Sequence, residues 1–280
     1  MTTDIIDLEP LDRLTSDLKR AAVTLGRSEA RFLVDAYYSM QDNRKRAANQ
    51  CRALSESSEP HAVLAWYLDQ SSRLEKQVAR ALDAYSGGDP LGQWARSIVG
   101  IGPVISAGLL AHIEIEKAPT VGHIWRFAGL DPTLEWKKGE KRPFNAALKT
   151  LCWKVGESFV KVSGHEEDIY GKVWAARKAT EEARNAAGNF AGQAAAKLEK
   201  FRIGKATEAF GHYSSGHLPP AHVHARAKRY AVKLFLAHYH EAGYRIMYGK
   251  APPKPYAIDH LGHAHLRECP NLHLLSKKEG

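Results

Sequence analysis

Apolar and polar positions alternate with a helical period along nearly the whole chain. In GRSEARFLVDAYYSMQDNRKRAANQCRAL, which starts at Gly26, Phe32, Leu33, Ala36, Tyr37 and Met40 recur at three- and four-residue spacing, as one buried helix stripe requires. Ser28 and Glu29 stand at its start, where a cap and an acidic first turn belong. The next stretch, EPHAVLAWYLDQSSRLEKQVARALDAYSGG, opens with a proline and closes on two glycines, the usual start-and-stop asymmetry of a helix. Leu64, Tyr67 or Leu68, Leu74, Val78, Ala81 or Leu82, and Tyr85 supply its stripe. No strict heptad runs through it, so an antiparallel helical pair and a coiled coil both stay open.

Breakers divide the rest of the chain. SGGDPLG at 86–92 and SSGHLPP at 214–220 collect turn formers and mark boundaries. Between them lie a compact block to about residue 163 and an alanine-rich run, DIYGKVWAARKATEEARNAAGNFAGQAAAKLEKF, which Gly188 and Gly192 would kink. AHVHARAKRYAVKLFLAHYHEAGYRIMYG then reads as a long amphipathic helix, ahead of a proline- and histidine-rich, irregular tail. TLEWKKGEKRP, with its KKGE turn flanked by Leu134 and Trp136, predicts a small β-hairpin near 133–142. The predicted class is all-α, with three regions: helical or coiled-coil-like over 1–89, a compact helical block over 90–165, and long helices plus the tail over 166–280.

Composition narrows the function. A hydrophobic fraction of 44% and a charged fraction of 25% are ordinary for a globular chain, and no apolar run reaches the 18 or so residues of a membrane span. The acidic start, MTTDIIDLEPLDRL, lacks a signal layout and points to a cytoplasmic protein with no membrane partner. Cys51, Cys152 and Cys269 are too scattered for a disulfide framework or a paired zinc motif. The net charge of +9 favours a polyanionic partner, with nucleic acid the first candidate.

The most specific stretch is SIVGIGPVISAGLLAHI at 97–113. Glycines at 100 and 102 allow a tight turn with positive φ and close approach of a foreign backbone. Ile101 between them can point inward as an anchor. Pro103 suits a first helical position, where its missing N–H costs nothing. The free amides of the turn and of the helix start form a concavity suited to phosphate. The small residues Ser106, Ala107, Gly108 and Ala111 let a neighbouring helix pack closely. The pattern matches a helix-hairpin-helix motif, with Ile98 or Val99, Gly100, Ile101, Gly102 and Ala107 in its roles. A dinucleotide fingerprint is disfavoured, because no strand precedes the glycines. From Trp136 to Lys161 there are seven basic residues against two acidic, the footprint of a backbone binder. The predicted DNA-binding set is therefore Gly100, Ile101, Gly102, Val104, Ser106, Lys137, Lys138, Lys141, Arg142 and Lys149.

The order GIGPVISAGLLAHI, IWRFAGLDP, a Lys/Gly-rich loop and a helix opening near Asn145 resembles the C-terminal helix-hairpin-helix transposase domain of bridge-RNA-type insertion-sequence transposases, over about residues 60–163. The resemblance implies DNA-binding architecture, a mobile-element or phage setting and, through the bridge RNA, a potential RNA partner. Two features of that family are missing. EWKKGEKR carries lysines where the family has its Ser-Gly nucleophile loop, and the helical region before residue 90 has no place for the acidic nuclease-like domain. No catalytic residue is assigned, and a loss of strand-transfer chemistry is expected.

Other candidates carry less. The histidines at 217, 222, 224, 238, 240, 260, 263, 265 and 273 satisfy no recognised metal spacing, so no metal or other cofactor is expected. Ser97, Ser106 and Ser158 have no triad-like company in the sequence. A second basic area, Lys197, Lys200, Arg202, Lys205, Arg226, Lys228, Arg229 and Lys233, either extends a DNA track or solvates two helix faces. Trp125, Trp136, Trp153, Tyr213 and Tyr230 serve packing or base stacking. Two rival readings stay open: an active recombinase with chemistry from unrecognised or partner residues, and a structural or RNA-binding module. Homodimerisation through the helical regions is an expectation under each.

Overall fold

The structure, a computed structural model, describes residues 13–55, 62–137, 139–253 and 267–275. It is all-α: among the described residues there are eleven α-helices, three short 3₁₀ turns and no strand. The chain divides into two compact units. One comprises the residues up to Gln93 with Gly102–Ile113, and the other Trp94–Ile101 with the residues from Glu114 onward.

The first unit is built on α2 (Arg27–Ser55) and α3 (Ala62–Gly88), preceded by the short α1 (Ser16–Ala21). Val34 packs near Leu82 and Arg44 pairs with Glu75 at 2.5 Å, a register that runs the two long helices antiparallel. The start of α2 is closed by the Glu29 carboxylate, which accepts the Gly26 N–H at 2.6 Å; Ser28 already lies inside the helix. α5 (Pro103–His112) completes the unit, and Ala107 packs with Val34 and Leu82, flanked by Tyr37, Tyr38 and Val104. Seven consecutive residues of α5, Ser106 to His112, are buried, which a run of mostly small side chains permits. α3 runs through both glycines at 87 and 88, and α4 (Pro90–Arg96) begins two residues later. The expected linker at 86–92 is therefore a helix–helix corner, with Asp89 Oδ1 accepting the Leu91 and Gly92 amides at 2.8 and 3.0 Å.

The second unit is organised around α11 (Pro220–Tyr248), which packs with α6 (Val121–Phe127), α7 (Ala146–Lys161) and α8 (Tyr170–Ala186). Pro220 starts α11 and Gly249, at φ +65, ends it by donating to the Arg245 carbonyl at 2.9 Å, a left-handed glycine cap. Its core is aromatic: Phe235 stacks with Trp94 and meets Phe159 and Tyr170 edge-on. Residues 267–275 are pinned there. The Trp94 indole donates to the Pro270 carbonyl at 2.8 Å, and the Asn271 amide donates to Ser97 Oγ at 2.9 Å. The alanine-rich run breaks rather than bends. α8 ends at Ala186 and α9 (Ala191–Lys200) begins after a turn with Gly188 at φ +76. α10 (Glu208–Ser214) follows, and Phe190, Leu218 and Val223 cluster beneath Tyr213.

The hairpin expected at 133–142 does not form: the described residues there adopt turns and irregular backbone. Asp131 Oδ1 accepts the Thr133 N–H and hydroxyl at 2.9 and 2.8 Å, and the Trp136 indole donates to the Glu140 carbonyl at 2.8 Å. Trp136 thus closes the loop by a side-chain bond. The arms carry lysine and glutamate on both faces, so no apolar face exists to hold a two-stranded ladder against a core. Among the described residues, no helix is long and apolar enough to cross a membrane.

Candidate nucleic-acid interface

The corner between α4 and α5 separates its two glycines by task. After Arg96 the chain turns back, with the Ile98 and Ile101 amides donating to the Ala95 and Ile98 carbonyls at 3.2 and 2.9 Å. Gly100 sits at φ +95, and a Cβ there would meet Val162 Cγ2 at 3.1 Å and Phe159 Cδ1 at 3.4 Å. Its carbonyl accepts the Ser158 hydroxyl. Gly100 is therefore the residue that lets the turn lie against α7. Ile101 is 4% exposed and anchors it, but its amide is already paired with Ile98 and is not offered outward.

Gly102 is different. It is exposed, with φ −84 and ψ 176, and a Cβ there would meet nothing within 4 Å. It caps α5 without a side-chain hydrogen bond, and Pro103 follows at the first helical position. The first backbone bond of the helix runs from the Ser106 N–H to the Gly102 carbonyl at 3.0 Å. The amides of Val104 and Ile105 stand ahead of that bond, where a helix start has donors to spare and a partial positive charge.

Two members of the predicted set lie in the interior. Ser106 is fully buried and its hydroxyl donates to the Gly92 carbonyl at 3.0 Å, so it holds the α3–α4 corner and does not face a ligand. The Val104 side chain packs on the Val34–Leu82–Ala107 cluster, which leaves its amide, ahead of the first helical bond, as the group that could meet a ligand. Both positions follow from a helix whose other faces are covered.

The basic loop is exposed. Lys137, Lys141, Arg142 and Lys149 are all on the surface, and none pairs with a carboxylate among the described residues; Lys138 lies outside the described residues. The loop mouth is tied by the Asn145 N–H donating to the Phe127 carbonyl at 2.8 Å, and Asn145 then caps α7 through its Oδ1, which accepts the Leu148 N–H at 2.9 Å. The Arg142 guanidinium lies 5.5 Å from the Trp136 ring and the Lys149 ammonium 4.3 Å from Phe144. Farther along α7, Trp153 is 57% exposed with the Lys228 ammonium 5.3 Å from its ring. Exposed rings with cations over them can stack on bases while the charges meet phosphates.

One centre carries no clear mark in the sequence. Glu181 on α8 is 1% exposed and is surrounded by arginines: Arg177, Arg184 at 3.7 Å and Arg226 at 2.9 Å. Burial alone would raise its pKa, but the Arg226 and Arg177 contacts outweigh it and hold the carboxyl below the usual glutamate range. Arg184 and Arg226 also lie over the Phe190 ring, at 5.1 and 4.6 Å. The i, i+4 and i, i+3 spacing of Arg177, Glu181 and Arg184 is the available signal; the crossing residue, Arg226, has none.

The histidines that the structure buries on α11 are structural. His240 Nε2 donates to the Ala118 carbonyl at 2.7 Å. His238 donates through Nε2 to the Arg267 carbonyl at 3.0 Å, so its Nδ1 accepts the Tyr170 hydroxyl at 2.7 Å. Burial lowers the pKa of both, which keeps them neutral. Among the described residues no group of three or more His, Cys, Asp or Glu could hold a metal ion; His260, His263 and His265 lie outside them. Ser97 and Ser158, like Ser106, donate to backbone carbonyls. Burial pushes the Cys152 thiol up to about 12, which leaves it unreactive. Comparison of the chain with protein-family models, curated proteins and solved structures returns no match.

Proposed function

We propose that this chain binds DNA through its phosphate backbone, largely irrespective of sequence, in the setting of a mobile element or phage and without strand-transfer chemistry of its own. The observation that carries this reading is the start of α5: an exposed, uncapped glycine with open space where a Cβ would stand, followed by proline and two amides ahead of the first helical bond. Backbone donors at a helix start are a ready site for a phosphate oxygen. Lys137, Lys141, Arg142 and Lys149, which pair with no carboxylate among the described residues, add charge that is not tied up elsewhere. The likeness to insertion-sequence transposases supplies the setting.

Fluorescence anisotropy with a labelled duplex across a salt series tests the reading. The parent should bind with strong salt dependence, and the double variant Lys141→Glu, Arg142→Glu should lower the slope of log affinity against log salt by about two. A parent with no measurable duplex affinity at low salt refutes the proposal. Incubation of the same duplex with magnesium separates binding from recombination, since cleaved or joined products would identify an enzyme.

A further inference from the structure

On α11, His222, Arg226, Arg229 and Lys233 follow one another at spacings of four, three and four residues, which sets them on one face. At 1.5 Å per residue the row is about 16 Å long, enough to follow several phosphates of one strand at a rise of about 3.4 Å each. Lys197 of α9 lies at one end: after burial, its charge together with Arg226 and Arg229 lowers the His222 pKa. At the other end the Lys233 ammonium sits 4.1 Å from the Trp125 ring on α6. Lys233 also faces Asp131, which opens the loop bearing Lys137, Lys141 and Arg142.

Charge in this row is poorly balanced. Glu181 serves three arginines, and Asp131 bonds to Thr133 and stands 3.9 Å from Arg126. Arg229 and Lys197 pair with no carboxylate among the described residues. Burial and then the adjacent Arg226 charge lower the pKa of Arg229. The first acid of α11 is Glu241, and the first turn carries none. Arg226, Lys228 and Arg229 therefore stand in the N-terminal third of a 29-residue helix, the end where the macrodipole opposes cations. Glu181 and Glu157 hold Arg226 and Lys228 there, whereas Arg229 has no carboxylate partner among the described residues, and a bound polyanion would supply one.

We propose that Arg226, Arg229 and Lys233, flanked by Lys197, form a track for the backbone of duplex DNA that continues from α9 along α11 to the 131–142 loop. Glu181 and Phe190 fix the Arg226 end by hydrogen bonding and stacking, so that guanidinium needs little ordering on binding. The track rests on the DNA-binding reading proposed for the α5 corner and extends it to a second stretch of the protein.

The test uses the full chain, a labelled 24-base-pair duplex and a single-stranded RNA competitor. Arg229→Glu should weaken duplex binding about tenfold and lower the salt slope by about one, whereas Lys19→Glu, an equal charge change on α1, should do neither. Lys197→Glu should act in the same direction as Arg229→Glu. Should Arg229→Glu melt early, Arg229→Gln provides the same comparison without the added carboxylate. Affinity within twofold of the parent for folded Arg229 and Lys197 variants, while Lys141→Glu, Arg142→Glu still weakens binding, overturns the track alone. Absence of any nucleic-acid binding by the parent overturns both readings. A tenfold preference for the RNA over the duplex overturns the assignment to DNA.

Discussion

Two glycines one residue apart should respond to substitution in opposite ways. At Gly100 the backbone sits at φ +95, where an L side chain costs about 1–2 kcal/mol. The added Cβ also falls 3.1 Å from Val162 Cγ2 and 3.4 Å from Phe159 Cδ1 and Ser158 Oγ. Val162 is half-buried at the end of α7 and can yield by a few tenths of an ångström, so the crowding adds about 1 kcal/mol, near the low end for overpacking. Gly100→Ala should therefore destabilise the protein by about 2–3 kcal/mol, a fall of about 5–10 °C in melting temperature for a unit of this size.

At Gly102 the backbone is extended and a Cβ meets nothing, so valine fits. Its stability cost is the loss of a good N-cap residue, about 1 kcal/mol or less. Its effect on binding should be larger. A branched side chain over the start of α5 keeps a phosphate from the amides, and one charge-assisted hydrogen bond is worth about 1.5–3 kcal/mol, which corresponds to about ten- to hundredfold in affinity. Thermal melts and duplex anisotropy on both variants make the comparison. If folded Gly102→Val binds duplex as the parent does across the salt series, the corner is not a phosphate site. If Gly100→Ala melts with the parent, the positive-φ turn against α7 is wrong.

Glu181→Gln leaves three guanidiniums around a neutral amide. Disrupting a buried pair costs about 3–5 kcal/mol, and the partial exposure of these arginines lowers that to about 2 kcal/mol, measurable as a shifted urea midpoint. The folded carboxyl titrates below the ordinary glutamate value of 4.5, so its contribution is full above that value and lost as pH falls through the folded one; parent and variant should converge in acid. His238 and His240 also have folded pKa values below 6.5, chiefly through burial. Their contribution is complete above 6.5 and is lost as pH falls from there toward the folded values, because the unfolded chain takes up the protons first. Urea midpoints of the parent should decline as pH falls below 6.5, and a flat profile there would sink the assignment of buried neutral imidazoles.

The helices are legible because each carries its own evidence. The helical period of α2, the proline and glycine that bound α11 and the asparagine that opens α7 are local signals, and all three elements stand where those signals put them, although the buried positions of α2 are Ala30, Val34 and Ala47 and Phe32 of the expected stripe is 71% exposed. The departures share one cause, the tertiary setting. TLEWKKGEKRP has turn chemistry but no apolar face, and a strand without a core to pack on has nothing to stabilise it. The glycines at 188 and 192 read as a kink, although positive φ at Gly188 ends a helix outright. Ser106 looks like a surface residue because its neighbours in sequence resemble a binding turn, yet α5 is covered from Ser106 onward. Sequence proximity does not report which side of a helix its neighbours cover.

The corner illustrates the same limit from the other direction. Both glycines belong to one sequence pattern, which treats them alike, yet only geometry tells a glycine that packing requires from one that it does not. Gly100 has a filled surrounding and a backbone angle that explains it without any ligand. Gly102 has neither, so nothing inside the protein forbids a larger residue there. On the reading proposed above, a small residue at a position with room for a large one, at the start of a buried helix, keeps a surface open for a partner. The binding series at Gly102 therefore bears on function, whereas the melting series at Gly100 bears on the fold.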